Sequence, residues 1–266
     1  MKRFRSPSAA APLFYHDLAG EGVPLIFLHG LGCASSCDYP MVAADPALRG
    51  RRAILLDLLG AGFSDRPLDF DYSVAAHART VIELVHGLGA DVVDLYGHSM
   101  GGAIAIEAAR GLGDRVRAVV VSEPNLDPGG GSFSRKIAEQ PEEDYVRAGR
   151  TMLVEASRAA GNAVWAASLA LSAPHAVHRA ARSLVAGSSP SWREMLHGLT
   201  AATTVLFGEA SLPDPDIDRL ARRGIRVDVV PAAGHSMAWD NPSGLAAALQ
   251  RATEVAPRSD RPGSQG

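Results

Sequence analysis

Ser99 stands between two glycines in Gly97-His98-Ser99-Met100-Gly101, where an apolar run over residues 92–96 stops and a helix-like pattern over 100–112 begins. A serine hydroxyl on such a strand-to-helix turn is lifted above the sheet edge, where it can act as a nucleophile. The turn is tight enough that side chains two residues to either side would collide, so Gly97 and Gly101 are required on steric grounds. Met100 opens the helix, so its backbone N–H lacks an intrahelical partner and lies at the positive end of the helix dipole. That N–H is a candidate donor to an oxyanion. The plainer alternative is a glycine-rich turn with an incidental serine. Glycine is 27 of 266 residues, so composition alone gives such a match in roughly one of every few chains. Its position between strand and helix gives the pattern its weight.

A serine nucleophile needs a base. The nine histidines are His16, His29, His77, His86, His98, His175, His178, His197 and His235. His235 lies in Pro231-Ala232-Ala233-Gly234-His235, straight after the last apolar run. A loop leaving the carboxyl end of a parallel strand is where open α/β sheets place their sites. His98 is a sequence neighbour of Ser99 that should point away from it and pack. His175 and His178 have helical spacing but no evident third ligand, so they read as a polar helix face rather than a metal pair.

The elements that must position these groups alternate. Strands are expected over 23–28, 52–58, 92–96, 116–122, 203–207 and 225–230. Continuous apolar runs of this length suit strands covered on both faces of a parallel sheet. Residues 13–18 add an antiparallel edge strand. Helices are expected over 72–88, 100–112, 214–223 and 242–252, which makes an α/β fold with helices on both faces. No strand is evident over 125–199. That interval opens with the loop signal Asp127-Pro128-Gly129-Gly130-Gly131 and continues with helical patterns over 142–160, 163–171, 175–185 and 192–199. About 75 residues is far beyond a normal connection, so it reads as a helical cap. The expected organisation is a core of 11–124 and 200–255, a cap of 125–199, and disordered tails at 1–10 and 256–266.

Composition narrows the function classes. Apolar residues are 47% and charged residues 21%, with a net charge of −3. This balance is ordinary for a soluble globular protein and offers nothing to nucleic acid or an anionic membrane. No apolar run approaches the ~20 residues of a membrane span. The basic start is followed by a short apolar stretch broken by Pro12, His16 and Asp17, which is unlike a signal peptide. Cys33 and Cys37 are the two cysteines, too few for a disulfide scaffold and read as reduced thiols in a cytoplasmic protein. Cys33 reads as a small pocket-lining hydrophobe. Trp165 and Trp192 read mainly as packing of the cap onto the sheet. The expected partner is a small-molecule substrate; the sequence sets no oligomeric state.

Four stretches then resemble the α/β-hydrolase superfamily, in the form that carries a helical cap: residues 25–32 (LIFLHGLG), 57–67 (DLLGAGFSDRP), 97–102 (GHSMGG) and 232–242 (AAGHSMAWDNP). The resemblance covers about residues 13–252. It implies a catalytic Ser99–His235 pair and a second oxyanion donor at the N–H of Leu31. It gives Asp57 and Ser64 a supporting role. It needs no cofactor and no metal. One departure stands out. The acid usually follows the penultimate strand in a Gly-Glu-x-Asp stretch, and here that stretch is Gly208-Glu209-Ala210-Ser211. The family's other acid position follows the strand after the elbow helix, and Glu123 occupies it. A carboxylate ending an apolar strand is expensive to bury unpaired, and a histidine partner would explain it. Glu123 is the expected acid, with Glu209, Asp214 and Asp127 as alternatives.

Haloalkane dehalogenases and epoxide hydrolases of this superfamily use an aspartate nucleophile, so Ser99 argues against both. The resemblance then implies a carboxylic ester or lactone hydrolase for a small to medium hydrophobic substrate. Two other readings stay open: carbon–carbon bond hydrolysis by the same residues, and a ligand-sensing receptor with little turnover.

Overall fold

A computed structural model describes residues 1–254. Eight strands, β1 (Lys2–Ser6), β2 (Ala11–Leu18), β3 (Glu21–Leu28), β4 (Arg51–Asp57), β5 (Val93–His98), β6 (Val116–Ser122), β7 (Ala202–Gly208) and β8 (Arg226–Val230), form one sheet in the order β1-β2-β4-β3-β5-β6-β7-β8. β1 and β2 are antiparallel to their neighbours, and β3 to β8 run parallel. The fold is therefore the mostly parallel α/β sheet expected from the apolar runs. Its central strands are buried on both faces: Leu25 to Leu28 and Val119 to Val121 have no exposed surface.

Helices Val74–Gly87 and Met100–Leu112 pack together on one face, and Pro242–Thr253 covers the other. Val74–Gly87 starts at Ser73, whose hydroxyl accepts the N–H of Ala76 at 3.1 Å and so satisfies one of the free amides of the first turn.

One correction concerns the first ten residues, expected as a disordered tail. Lys2–Ser6 is an edge strand in register with β2, Phe4 opposite Leu13. Its pattern escapes a hydrophobic scan because Phe4 is the lone large apolar residue among basic ones. Those charges suit an exposed edge, where they discourage pairing with another chain. Phe4 lies against Gly87, where a side chain would come within 2.6 Å of its ring. The expected tail at 256–266 lies outside the described residues.

The interval between β6 and β7 holds helices joined by loops and no strand among the described residues. Helix Ser132–Ala138 forms straight after the expected loop at 127–131, in a stretch the sequence left unassigned. The helix expected over 142–160 runs without interruption from Glu142 to Ala159, with a π-helical turn at Tyr145–Gly149 inside it. Ala163–Leu171, Pro174–Ala186 and Trp192–His197 follow. Ion pairs and side-chain hydrogen bonds fasten this segment to the core. Arg179 donates to the carbonyls of Leu68 and Phe70 at 2.6 and 3.0 Å, and the Trp192 indole donates to Glu107 at 2.6 Å.

Candidate active site

Ser99 follows β5 at φ 52° and ψ −117°, a positive-φ conformation that a side-chain-bearing residue rarely adopts. The neighbouring glycines make the turn possible by different routes. A Cβ at Gly97 would lie 2.1 Å from the Gly101 carbonyl oxygen, and one at Gly101 would lie 2.2 Å from that of Leu28. Backbone bonding holds the strained turn, with Ser99 N–H donating to the Ser122 carbonyl at 2.9 Å. Met100 is the first residue of the following helix, so its N–H is left without an intrahelical acceptor.

Glu123 follows β6 and is itself strained, at φ 39°. Its N–H donates to the Leu206 carbonyl at 3.0 Å, which locks it to the adjacent β7. One carboxylate oxygen accepts the Gly208 N–H at 3.0 Å; the other meets His235 Nδ1 at 2.6 Å. Burial raises the carboxyl pKa, but hydrogen bonds from His235, Ser211 and Gly208 outweigh it and bring the value down to about 2. Glu123 is thus ionised throughout the neutral range. Ser211, in the place where most relatives would carry the acid, gives its hydroxyl to the acid that sits elsewhere.

The alternative acids are occupied differently. Glu209 accepts the Ala232 N–H at 2.8 Å, Asp127 pairs with Arg193, and Asp214 caps the N–H of Asp216 at 2.8 Å. The structure therefore brings His235 to Glu123 and to none of the other three. Ser99 and His235 line one cavity of about 490 Å³. Among the described residues no hydrogen bond joins their side chains; such contacts often tighten only when substrate binds. The His235 side chain is 56% exposed, so the site is open to solvent.

The turn Gly30-Leu31-Gly32-Cys33 passes beside the serine. A Cβ at Gly30 would lie 3.5 Å from Ser99 Cβ, and the Cys33 N–H closes the turn on the Gly30 carbonyl at 3.2 Å. His29 braces it: Nδ1–H donates to the Gly30 carbonyl at 2.9 Å and Nε2 accepts the Leu58 N–H at 3.1 Å. Burial holds this imidazole below its usual pKa, which suits a neutral ring with one donor and one acceptor. Asp57 anchors the neighbouring loops through Ser36 and Phe63, and the Ser64 hydroxyl donates to the Asp57 carbonyl at 2.5 Å.

His98 differs from expectation. Its ring lines the cavity and meets the His235 ring at a centroid distance of 4.6 Å. Burial, with His235 adding to it, pushes its pKa down to about 3, so it stays neutral. Sequence adjacency to Ser99 hid this, because the sharp turn sends neighbouring side chains to neighbouring walls of one cavity. His178 is not on a polar face either. It is buried, with Nε2 at 2.8 Å from the Gln140 carbonyl. Cys33 lines the cavity, and burial raises its thiol pKa well above the usual value, which leaves it a poor nucleophile. Among the described residues no three His, Cys, Asp or Glu side chains group to hold a metal, and no helix is long and apolar enough to cross a membrane.

Fold and site together define a class: an α/β protein with serine, histidine and carboxylate at the carboxyl ends of its parallel strands. A model of the alpha/beta hydrolase family matches residues 25–248, and the chain belongs to that family. It is 37% identical over 106 residues to a 2-hydroxymuconate semialdehyde hydrolase of Pseudomonas putida, covering 40% of this chain and 37% of that protein. The match thus spans less than half the length of that curated relative. Among solved structures, an esterase from Thermogutta terrifontis superposes with a TM-score of 0.78 at 23% identity, over 94% of this chain and 97% of that one. The N-acyl homoserine lactonase AidH, complexed with N-butanoyl homoserine, gives 0.70 at 20% identity, over 97% and 100%. Likeness at these identities concerns the fold.

Proposed function

We propose that this protein is a serine hydrolase that cleaves a carboxylic ester or lactone through an acyl-enzyme. The observation that carries the reading is the 2.6 Å bond between Glu123 and His235 beside a serine on a strained strand-to-helix turn. In this mechanism His235 removes the Ser99 proton as the hydroxyl attacks the carbonyl carbon. The N–H groups of Leu31 and Met100 receive the oxyanion. His235 then protonates the leaving oxygen and afterwards activates the water that releases the acid. Glu123 holds the imidazole in the right tautomer and stabilises its cation. The cavity suits a small to medium hydrophobic group, since Leu31, Leu126, Phe133, Trp165, Leu184 and Phe207 line it. The names of the esterase and lactonase neighbours are consistent with this substrate class.

A fluorophosphonate probe followed by peptide mass mapping tests the proposal, together with turnover of short p-nitrophenyl esters. The expected result is a single adduct on Ser99 and ester turnover that Ser99→Ala removes. A second reading is favoured by the Pseudomonas putida relative, whose name is that of a hydrolase of a semialdehyde. The same residues would then cleave a carbon–carbon bond. Product analysis separates the two: acid plus alcohol for an ester, acid plus ketone or aldehyde for a carbon–carbon bond.

A further inference from the structure

A second, smaller cavity of about 210 Å³ lies beside the Ser99 cavity. The two share Cys33, His98, Asn162, Trp165 and Ser236 as a common wall. Charge in the smaller one is one-sided. Asp38 and Asp240 line it, no lysine or arginine does, and His98 stays neutral because burial pushes its pKa down to about 3. Asp38 is only 7% exposed. Among the described residues its donors are the Trp239 indole, 3.2 Å from Oδ1, and the Cys33 thiol, and no basic side chain pairs with it. A carboxylate has about four acceptor sites, so a long indole bond and a weak thiol donor leave it under-satisfied. Burial raises its pKa to about 6 against the pull of those two donors, so the carboxylate predominates at neutral pH. A buried carboxylate without a cation is costly. The rings of Tyr39, Tyr96, Trp165 and Trp239 line the same cavity, and aromatic faces attract cations.

We propose that the smaller cavity is a subsite for an ammonium group of the substrate, with Asp38 as its counter-ion. The inference rests on the serine-hydrolase reading above and names its substrate class: a carboxylic ester with one apolar arm in the larger cavity and one arm that ends in a protonated amine. The common wall makes this geometry available. His98 and Ser236 are the sequence neighbours of Ser99 and His235, so an ester whose carbonyl lies at Ser99 has both cavities within reach. The ammonium N–H donates to Asp38 and supplies the cation that the protein itself withholds. The aromatic walls keep water away from the pair and so strengthen it. A neutral group of the same shape leaves the carboxylate unpaired and deprives it of water, which selects against that substrate.

The test uses pairs of butanoate esters that differ by one atom. One member carries a dimethylammonium group at the end of a spacer of two to four carbons; the other has carbon in place of the nitrogen. Each kcat/KM is divided by the hydroxide-catalysed rate constant of the same ester, which removes intrinsic reactivity. The wild type should favour the ammonium ester at one spacer length or more by ~10- to 100-fold, the worth of a hydrogen bond to a charged group. Asp38→Asn keeps the size and the acceptor for Trp239 but removes the charge, and should abolish that preference. The loss should fall mainly in KM for the ammonium ester, because the pairing is made in ground state and transition state alike. A second measurement needs no variant: 3-methylbutylammonium should inhibit the wild type competitively, and 3-methylbutanol should be ~10-fold weaker or worse. If Asp38 serves only to hold Trp239 and the loop after His235, both esters change together in the variant and the preference stays as it was. That result overturns the proposal, as does a wild type with no preference at any spacer length and equal inhibition by amine and alcohol. Wild-type protein inert to every ester and to the fluorophosphonate probe would instead overturn the hydrolase reading, and this inference with it.

Discussion

The two walls of the Ser99 cavity are built by different means. On the sheet side the groups stand on strand ends and are placed by the backbone. Ser99 N–H bonds Ser122, Glu123 N–H bonds Leu206, and Gly208 N–H bonds the Glu123 carboxylate. Both Ser99 and Glu123 hold strained positive φ, which persists only where surrounding structure over-determines it. On the helical side most attachments to the core run through side chains. Arg193 pairs with Asp216, Arg179 donates to the Leu68 and Phe70 carbonyls, and Trp165 reaches Leu31, with one backbone bond from the Ala173 N–H to the Gly60 carbonyl. A wall set by backbone geometry keeps its atoms in place through many changes of neighbouring side chains. A wall docked by side chains can be reshaped one residue at a time. On the proposed reading the chemistry belongs to the first and substrate choice to the second.

The sharpest way to break this comparison is to remove a group from the sheet side. Ser99→Ala and His235→Ala are each expected to lower kcat on p-nitrophenyl esters by ~10³-fold or more, with the melting temperature little changed. The double variant should be hardly worse than either single one, because the two residues act as a unit. Losses that multiply in the double variant would show that His235 does not serve Ser99. Next in size is Glu123→Gln, which keeps the shape and removes the charge facing His235. A loss of ~10²- to 10⁴-fold in kcat is expected, with little change in KM. Glu209→Gln, Asp127→Asn and Asp214→Asn should each cost far less. If one of those three equals Glu123→Gln in kcat, the acid has been misassigned.

The two walls were also unequally legible in the sequence. Strand periodicity, glycine spacing and the loop after β8 placed Ser99 and His235 at strand ends, because backbone rules act locally. The Ser211 departure pointed to Glu123, since a carboxylate ending a buried strand needs a partner. What the sequence hid was contact between distant segments. The Trp165 bond to Leu31 joins residues 134 positions apart, and nothing in either local pattern announces it. His98 was misread for the opposite reason, a local argument applied at a turn too sharp for it. The helix expected over 142–160 is present, and only the π-helical turn within it at Tyr145–Gly149 carries no sequence signal. β1 was missed because an edge strand with one large apolar residue lacks the alternation of a half-buried one.

Acid exposes the same asymmetry as a stability effect of intermediate size. His77 and His98 are pushed down to about 3 by burial, and Glu123 is held at about 2 by its hydrogen bonds. For the histidines the unfolded chain takes up protons that the folded one refuses. Their contribution is present above about pH 6.5 and is lost as pH falls from there toward 3. For Glu123 the contribution is present above about pH 4.3 and fades as pH falls toward 2. These three signs agree, and Asp38, raised by burial to about 6, opposes them between about pH 6 and 4, so the melting temperature should fall on balance below pH 6.5 and most steeply below about pH 4. His77 packs against the Phe70 and Tyr72 rings, at centroid distances of 5.4 and 5.8 Å, with its Nδ1 unpaired. His77→Phe should therefore fit, and should flatten the decline by up to roughly 5 kcal/mol between pH 6.5 and 3. Parallel curves of melting temperature against pH for the two proteins would contradict this account.

The smallest expected effect sharpens the comparison most, because it concerns a side chain that assists a backbone-built wall. Ser211 stands in the short helical turn after β7, in the position most relatives give to the acid, and its hydroxyl helps hold the Glu123 carboxyl pKa down. Two other donors, His235 and Gly208, remain when it is removed. Ser211→Ala should thus lower kcat by about 3- to 10-fold, the scale of one hydrogen bond among three, with KM unchanged. The same geometry makes a reciprocal change informative. In a Glu123→Gln background, Ser211→Asp returns a carboxylate to within reach of the His235 loop and should recover part of the lost kcat. Placed beside an intact Glu123, the same substitution sets two like charges together and should be harmful, since one of them must then stay protonated. Steady-state kinetics of the four proteins decides the matter. Recovery in the first background and loss in the second would show that either strand end can supply the charge. Ser211→Ala equal to wild type, with no recovery in the double variant, would leave Glu123 positioned by the backbone and His235 alone.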